Sequence, residues 1–326
     1  MSRLTLRPLV TLLGLALPAC ATLPDISQSR SPCQLEPGGW CSFVREAAVD
    51  AFPYALASTN AYRGDEDIFA KPGRVLQRIE HLPIAPEDAD KGFSYEIFNQ
   101  FAPGSGSDPG RQPVARILAF RGTDLTGLSD IFYGTLRSDQ IELALRYFAA
   151  ERARLGTDVP WIVSGHSLGG ALATEVSQAH PEVRAYMFNT SPFYRNEVRA
   201  NALRRTVFNE RGEFLRRFAR YDEPPAANVF TINCEPHRGA LFKHKVRPLA
   251  DCITWIAAYA SPDALAVVKA NGITKPYVEC GPADQPHPGP GAKPVQPCIH
   301  IARRRDAGED KGMDDSSTIE PAAPSR

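Results

Sequence analysis

Apolar positions along the chain change their spacing several times, and each change marks an element. The residues from Phe43 to Ala61 have helical periodicity. Pro53 is expected to kink that helix, because proline has no N–H to donate and its ring crowds the preceding turn. The segment Ala55 to Arg63 ends it. Short strands are expected at Arg74–Ile79 and Phe93–Phe98, and the second alternates apolar and polar residues, the period of a half-buried strand. Pro103 to Pro113 is rich in Gly, Ser and Pro and reads as a loop. Val114 to Phe120 is an apolar run of buried-strand type, and a helix is predicted from about Ser138 to Arg154. Trp161-Ile162-Val163 starts another buried strand, followed by a helix opening with small residues. Val183–Phe188 and Thr206–Asn209 are further strands, and a late helix begins near Val246. Strands alternating with helices predict an α/β fold with a mostly parallel central sheet and helices on both faces.

Between the strand at Trp161 and the helix after it lies Gly165-His166-Ser167-Leu168-Gly169. Gly-x-Ser-x-Gly at a strand-to-helix turn is the form of a nucleophile elbow, which places the serine on a strained turn with its hydroxyl exposed. The two glycines let strand and helix approach where side chains would collide. The N–H of Leu168, at the helix start, points where an oxyanion would form, and the helix dipole favours negative charge there.

Charge and composition narrow the classes. With 37 basic and 37 acidic residues the formal net charge is zero, so neither a nucleic-acid-binding nor a polybasic membrane surface is indicated. At the N-terminus, Arg3 and Arg7 precede the apolar run Leu9–Leu17, which is followed by Pro18-Ala19-Cys20. This is an export signal, too short to span a membrane stably. Leu17-Pro18-Ala19-Cys20 resembles a bacterial lipobox, with Cys20 as the residue that would carry lipid, although Pro18 departs from the usual residue there. Cleavage after Ala21 is the alternative. Either way the mature chain lies outside the cytoplasm, in the cell envelope if Cys20 is lipidated.

Seven cysteines leave an even six once Cys20 is set aside, and an even count in an exported chain points to disulfides. Sequence-local pairing predicts Cys33–Cys41, Cys234–Cys252 and Cys280–Cys298. Cys280, His287, Cys298 and His300 have ligand chemistry, but a bridge is the expected use in an oxidising compartment, and no metal or cofactor is expected. From Gly281 onwards the chain turns to Pro, Gly and mixed charge, lacking the apolar surface that offsets chain entropy, so residues after about 302 are expected to be disordered. The expected organisation is a signal over 1–20, a linker over 21–42, a catalytic-type domain over 43–280 and a tail over 281–326.

Phe120-Arg121-Gly122-Thr123 and Gly165-His166-Ser167-Leu168-Gly169-Gly170-Ala171-Leu172-Ala173, about 40 residues apart, together resemble the class 3, fungal-type lipases of the α/β-hydrolase superfamily. The likeness covers roughly residues 43 to 260, and Phe188-Asn189-Thr190-Ser191-Pro192 continues it with Thr190 in place of a glycine. The resemblance implies an α/β-hydrolase fold, Ser167 as nucleophile, Thr123 and Leu168 as oxyanion-hole donors, and a lid over Leu125–Leu136. Triad order is serine, acid, histidine, and His180 comes too early, which leaves His237 and His244. The family places its base just ahead of a late helix, which favours His244. The same register favours Glu213 as the acid, with Glu210 and Asp222 as rivals. The implied activity is serine ester hydrolysis of lipid substrates through an acyl-enzyme. Phospholipase or thioesterase chemistry on the same fold, or a catalytically silent envelope lipoprotein, are the alternatives. The implied partners are a lipid or other ester and, through lipidated Cys20, a membrane.

Overall fold

The parallel run of the sheet is built one strand at a time, which decides where the helices go. The computed structural model describes residues 33, 36–62, 68–105, 110–122, 134–192, 201–218, 224–279 and 288, with the backbone alone at 134–137. The strands are β1 (Leu76–Ile79), β2 (Tyr95–Gln100), β3 (Ala115–Phe120), β4 (Trp161–His166), β5 (Arg184–Phe188), β6 (Arg205–Glu210) and β7 (Asn228–Ile232). They form one seven-stranded sheet in chain order. β1–β2 and β2–β3 pair antiparallel, and every pair from β3 to β7 is parallel.

Right-handed crossovers that always step in the same direction put their connecting helices on the same face. Those helices are α3 (Gly134–Leu155), between β3 and β4, and α4 (Leu168–Ala179), between β4 and β5. The opposite face needs cover from outside the parallel run. It comes from α1 (Ser42–Asn60) before the sheet and from α6 (Val246–Ala257) and α7 (Pro262–Asn271) after it. Two short helices, α2 (Pro86–Ala89) and α5 (Ala240–His244), complete the set.

Two apolar clusters result, and the pleat sorts residues between them. Ile117, Ala119, Tyr186 and Phe188 join α1, α6 and α7, whereas Leu118, Phe120, Ala185 and Met187 join α3 and α4. This is the two-sided burial expected of a parallel sheet. It also corrects the half-buried reading of Phe93–Phe98. Tyr95 to Phe98 are all buried, and Glu96 is accommodated by an ion pair with Arg78 at 3.3 Å.

Helix α1 runs continuously through Pro53. Losing one backbone bond costs a helix about 3 kcal/mol. Every residue from Ala51 to Asn60 is buried, so tertiary packing outweighs that loss. Helix α3 starts four residues before the expected Ser138 and absorbs Gly134 to Leu136, the end of the expected lid. The rest of that lid, 125–133, lies outside the described residues. Strand β7 has no counterpart in the sequence reading: Asn228–Ile232 is short and mostly exposed, although Val229, Phe230 and Ile232 are strand-forming residues.

Two of the expected disulfides are present. Cys33–Cys41 closes the chain just before α1 with a Cα–Cα distance of 5.0 Å. Cys234–Cys252 ties the segment after β7 to α6 at 6.3 Å. Cys280 and Cys298, with His287 and His300, lie outside the described residues, as do the signal sequence, Cys20 and the tail beyond 302. No described helix is long and apolar enough to cross a membrane.

Candidate active site

Strand β4 ends at His166 and α4 begins at Leu168, leaving Ser167 alone to make the turn. Its φ of 56° and ψ of −125° put a side-chain-bearing residue outside the allowed regions, a strain that persists only where surroundings over-determine it. Those surroundings are visible. The Ser167 N–H donates to the Phe188 carbonyl, and the Ser167 carbonyl accepts from Gly170 and Ser191, all within 3.0–3.1 Å. A Cβ on Gly165 would stand 2.2 Å from the Gly169 carbonyl oxygen, and one on Gly169 would stand 2.3 Å from that of Phe120. Glycine is therefore obligatory at both positions for steric reasons. The expected exposure of Ser167 is not seen: the residue is buried, with His244 within hydrogen-bond distance of its hydroxyl.

His244 is the last residue of α5, a one-turn helix just ahead of the late helix α6. Its Nε2 lies 3.0 Å from Ser167 Oγ, and its Nδ1 lies 2.9 Å from Glu213 Oε2. Ser167, His244 and Glu213 are all buried. Glu213 follows a turn after β6 in which Gly212 takes φ +76°, and its Oε2 also accepts the Leu215 N–H at 2.8 Å. The adjacent Lys243 donates through Nζ to the Arg211 carbonyl at 3.0 Å, joining the turn that carries the carboxylate to the helix that carries the imidazole. Phe214 sets its ring edge-on to His244, with centroids 5.8 Å apart.

The rival residues are elsewhere. Glu210 faces away from His244, accepting the Cys234 N–H at 3.0 Å and the Glu235 N–H at 3.1 Å. Burial pushes its carboxyl up to about 7, against those two N–H groups and Lys243. His237 packs against Tyr277, with centroids 4.5 Å apart. His180 contacts Phe148 and Arg152. Asp222 and Thr123 lie outside the described residues. Leu168 is the first residue of α4, so its N–H is among the four that have no partner inside a helix. Gly122 is the last described residue before Thr123, and its N–H donates to Tyr62 Oη at 3.1 Å.

Three residues that the sequence reading left without a role hold this arrangement. Asn189, with φ 42°, ends β5; its Nδ2 donates to the carbonyls of Lys243 at 2.9 Å and His244 at 3.2 Å. Its Oδ1 accepts the Glu210 N–H at 2.8 Å. The sequence signal is an asparagine directly after an apolar strand, since asparagine tolerates the left-handed region. His166 contacts the His244 carbonyl through Nε2 at 2.6 Å and Tyr62 Oη through Nδ1 at 2.8 Å. Burial, followed by the nearby His244, holds the His166 imidazole well below the usual histidine range, partly countered by its bond to the His244 carbonyl. It is neutral.

The strand order and the serine turn define an α/β-hydrolase fold. No family model and no curated protein matches the chain. Among solved structures it is similar to a lipase from Rhizopus microsporus var. chinensis at 16% identity, over 55% of this chain and 72% of that one, with TM-score 0.35. It is similar to the Yarrowia lipolytica LIP2 lipase at 14%, over 58% and 80%, with TM-score 0.40. For the Rhizomucor miehei lipase propeptide complex the values are 14%, 64%, 78% and 0.37. These values are too low to transfer chemistry.

Proposed function

We propose that the protein is a serine ester hydrolase of lipase type, which cleaves carboxylic esters of lipids through an acyl-enzyme on Ser167. The observation that supports this is the line from Ser167 Oγ to His244 Nε2 at 3.0 Å and from His244 Nδ1 to Glu213 Oε2 at 2.9 Å. A serine hydroxyl is a weak nucleophile until a base takes its proton. His244 takes that proton as Oγ attacks the acyl carbonyl, then hands it to the departing alcohol. Glu213 accepts from Nδ1–H, which keeps the free lone pair on Nε2 and stabilises the imidazolium as it forms. Negative charge on the carbonyl oxygen falls beside the N–H of Leu168 at the positive end of α4. Thr123 is the proposed second donor. Water, activated by the same histidine, then releases the acid.

An apolar substrate suits the exposed side chains near these residues. Leu241 is exposed on α5, the helix that ends in His244. Phe218 is exposed at the end of the 3-10 turn that begins with Phe214, the residue packed on His244. We further propose export, supported by the two disulfides, and attachment through Cys20.

The test is a fluorophosphonate probe together with a panel of p-nitrophenyl esters and phospholipids. Labelling at Ser167 and turnover of esters, both absent in Ser167→Ala, are expected. A wild-type chain that neither labels nor turns over any ester would leave the fold as a binding scaffold.

A further inference from the structure

The carbonyl of the proposed base is itself held by a side chain adjacent to the nucleophile. His166 Nε2 lies 2.6 Å from the His244 carbonyl oxygen. A carbonyl only accepts, so Nε2 carries the proton. In a neutral imidazole the other nitrogen must then accept, so the contact at Nδ1 is a bond donated by Tyr62 O–H, 2.8 Å long. Tyr62 Oη uses its lone pair for the Gly122 N–H at 3.1 Å. With a neutral imidazole the bonds run in one direction: Gly122 N–H to Tyr62, Tyr62 O–H to His166, His166 N–H to the His244 backbone.

The close packing leaves little room for alternatives. A Cβ on Gly122 would stand 2.5 Å from both Tyr62 Oη and the His166 carbonyl oxygen, and 3.0 Å from Ser167 Cβ. His166 is buried, and its ring lies 4.9 Å from that of His244 and 5.8 Å from that of Tyr62, centroid to centroid. A second proton on His166 would break the bond from Tyr62 and set a cation against the imidazolium that His244 becomes during turnover. Burial and the proximity of His244 both oppose that proton.

Building on the proposed hydrolase reading, we propose that Tyr62 and His166 are positioning residues. They form a relay that fixes the His244 backbone, and so its imidazole, against Ser167, and that also holds the Gly122 N–H. The bonds of this relay go to the His244 carbonyl and the Gly122 N–H rather than to Ser167 Oγ or the His244 ring nitrogens. Their effect falls on the rate of acylation rather than on substrate affinity.

His166→Ala removes the shorter of the two side-chain bonds to the His244 carbonyl and leaves that from Asn189, and a displacement of about 1 Å at a reacting group costs roughly 100-fold in rate. The expected result is that drop in kcat with KM unchanged and Ser167 still labelled, slowly, by a fluorophosphonate. His166→Gln should restore kcat to within about tenfold of wild type, since its amide offers one donor and one acceptor as the neutral imidazole does. Tyr62→Phe, which keeps the ring and loses only the hydroxyl, should lower kcat about tenfold, the effect of one buried hydrogen bond. Melting curves accompany each variant. If His166→Ala does not fold, Tyr62→Phe decides alone. Wild-type kcat in a folded His166→Ala or Tyr62→Phe overturns the proposal, as does a change confined to KM. So does a His166→Gln that folds yet is as slow as His166→Ala. These outcomes presuppose an active wild type; an unlabelled, inert wild type sinks the hydrolase reading instead.

Discussion

The two halves of the site are built in opposite ways. The serine half is one contiguous stretch, Trp161 to Ala179, whose strained turn is held by backbone bonds and by two glycines that admit no side chain. The histidine half is assembled from the β6 turn, the β5 end, α5 and the disulfide to α6, joined mostly by side chains bonding to backbone. The first is rigid because its covalent path and its sheet leave no other arrangement. The second is positioned by a set of separate polar contacts, each of which can be removed alone. Substitutions should therefore disable the serine half in one step and degrade the histidine half by degrees.

The largest effect that sharpens this contrast is expected from the proposed reacting pair. Ser167→Ala and His244→Ala should each lower kcat by about a millionfold while leaving the melting transition in place, because the proposed mechanism makes them one proton-transfer unit. His237→Ala should change little, and the reverse result, activity lost at His237 and kept without His244, would mean the site is misread. Next comes Glu213→Gln, which keeps the volume but replaces an acceptor-only carboxylate with a neutral amide that can also donate and so select the other tautomer. A fall in kcat of about ten-thousandfold is expected. A fall of less than tenfold would show that a carboxylate other than Glu213 supports the imidazole.

A smaller effect is expected from the brace. Cys234–Cys252 closes a span of 18 residues that contains α5, and such a loop loses about 3 kcal/mol of unfolded-state freedom when bridged. Reduction should lower activity before circular dichroism reports unfolding. Simultaneous loss of both would make the bridge a global staple rather than a local one.

The mildest test is one of pH. Burial raises the Glu210 carboxyl from about 4.5 to about 7, against the pull of Lys243 and two N–H groups and with Glu235 adding to the rise. A raised folded-state value means the folded chain holds the proton more tightly. Its contribution to stability is full below about 4.5 and is lost as pH rises through 7. Glu210→Gln should accordingly flatten the fall in melting temperature between pH 4.5 and 7, by a few degrees at about 2–4 °C per kcal/mol. An unchanged slope would mean the carboxyl titrates normally. His166 acts in the opposite sense, since its lowered value costs stability as pH falls below about 6.5.

What the sequence determined by itself is local. Hydrophobic period placed β1 to β6 and the late helix α6 to within a few residues. Steric necessity at Gly165 and Gly169 marked Ser167, and cysteine spacing paired Cys33 with Cys41 and Cys234 with Cys252. Resemblance, rather than spacing, singled out His244 and Glu213 from their rivals. Tertiary structure alone decided the rest. Burial of Ala51 to Asn60 kept α1 helical through Pro53, and pairing with β6 made a strand of exposed β7. Folding also brought Tyr62 to His166, 104 residues away, and His166 to the His244 carbonyl, 78 residues away. Periodicity reports which face of an element is buried, not which polar atom meets which across the sheet. That depends on distances and proton directions that exist only once the chain has closed on itself.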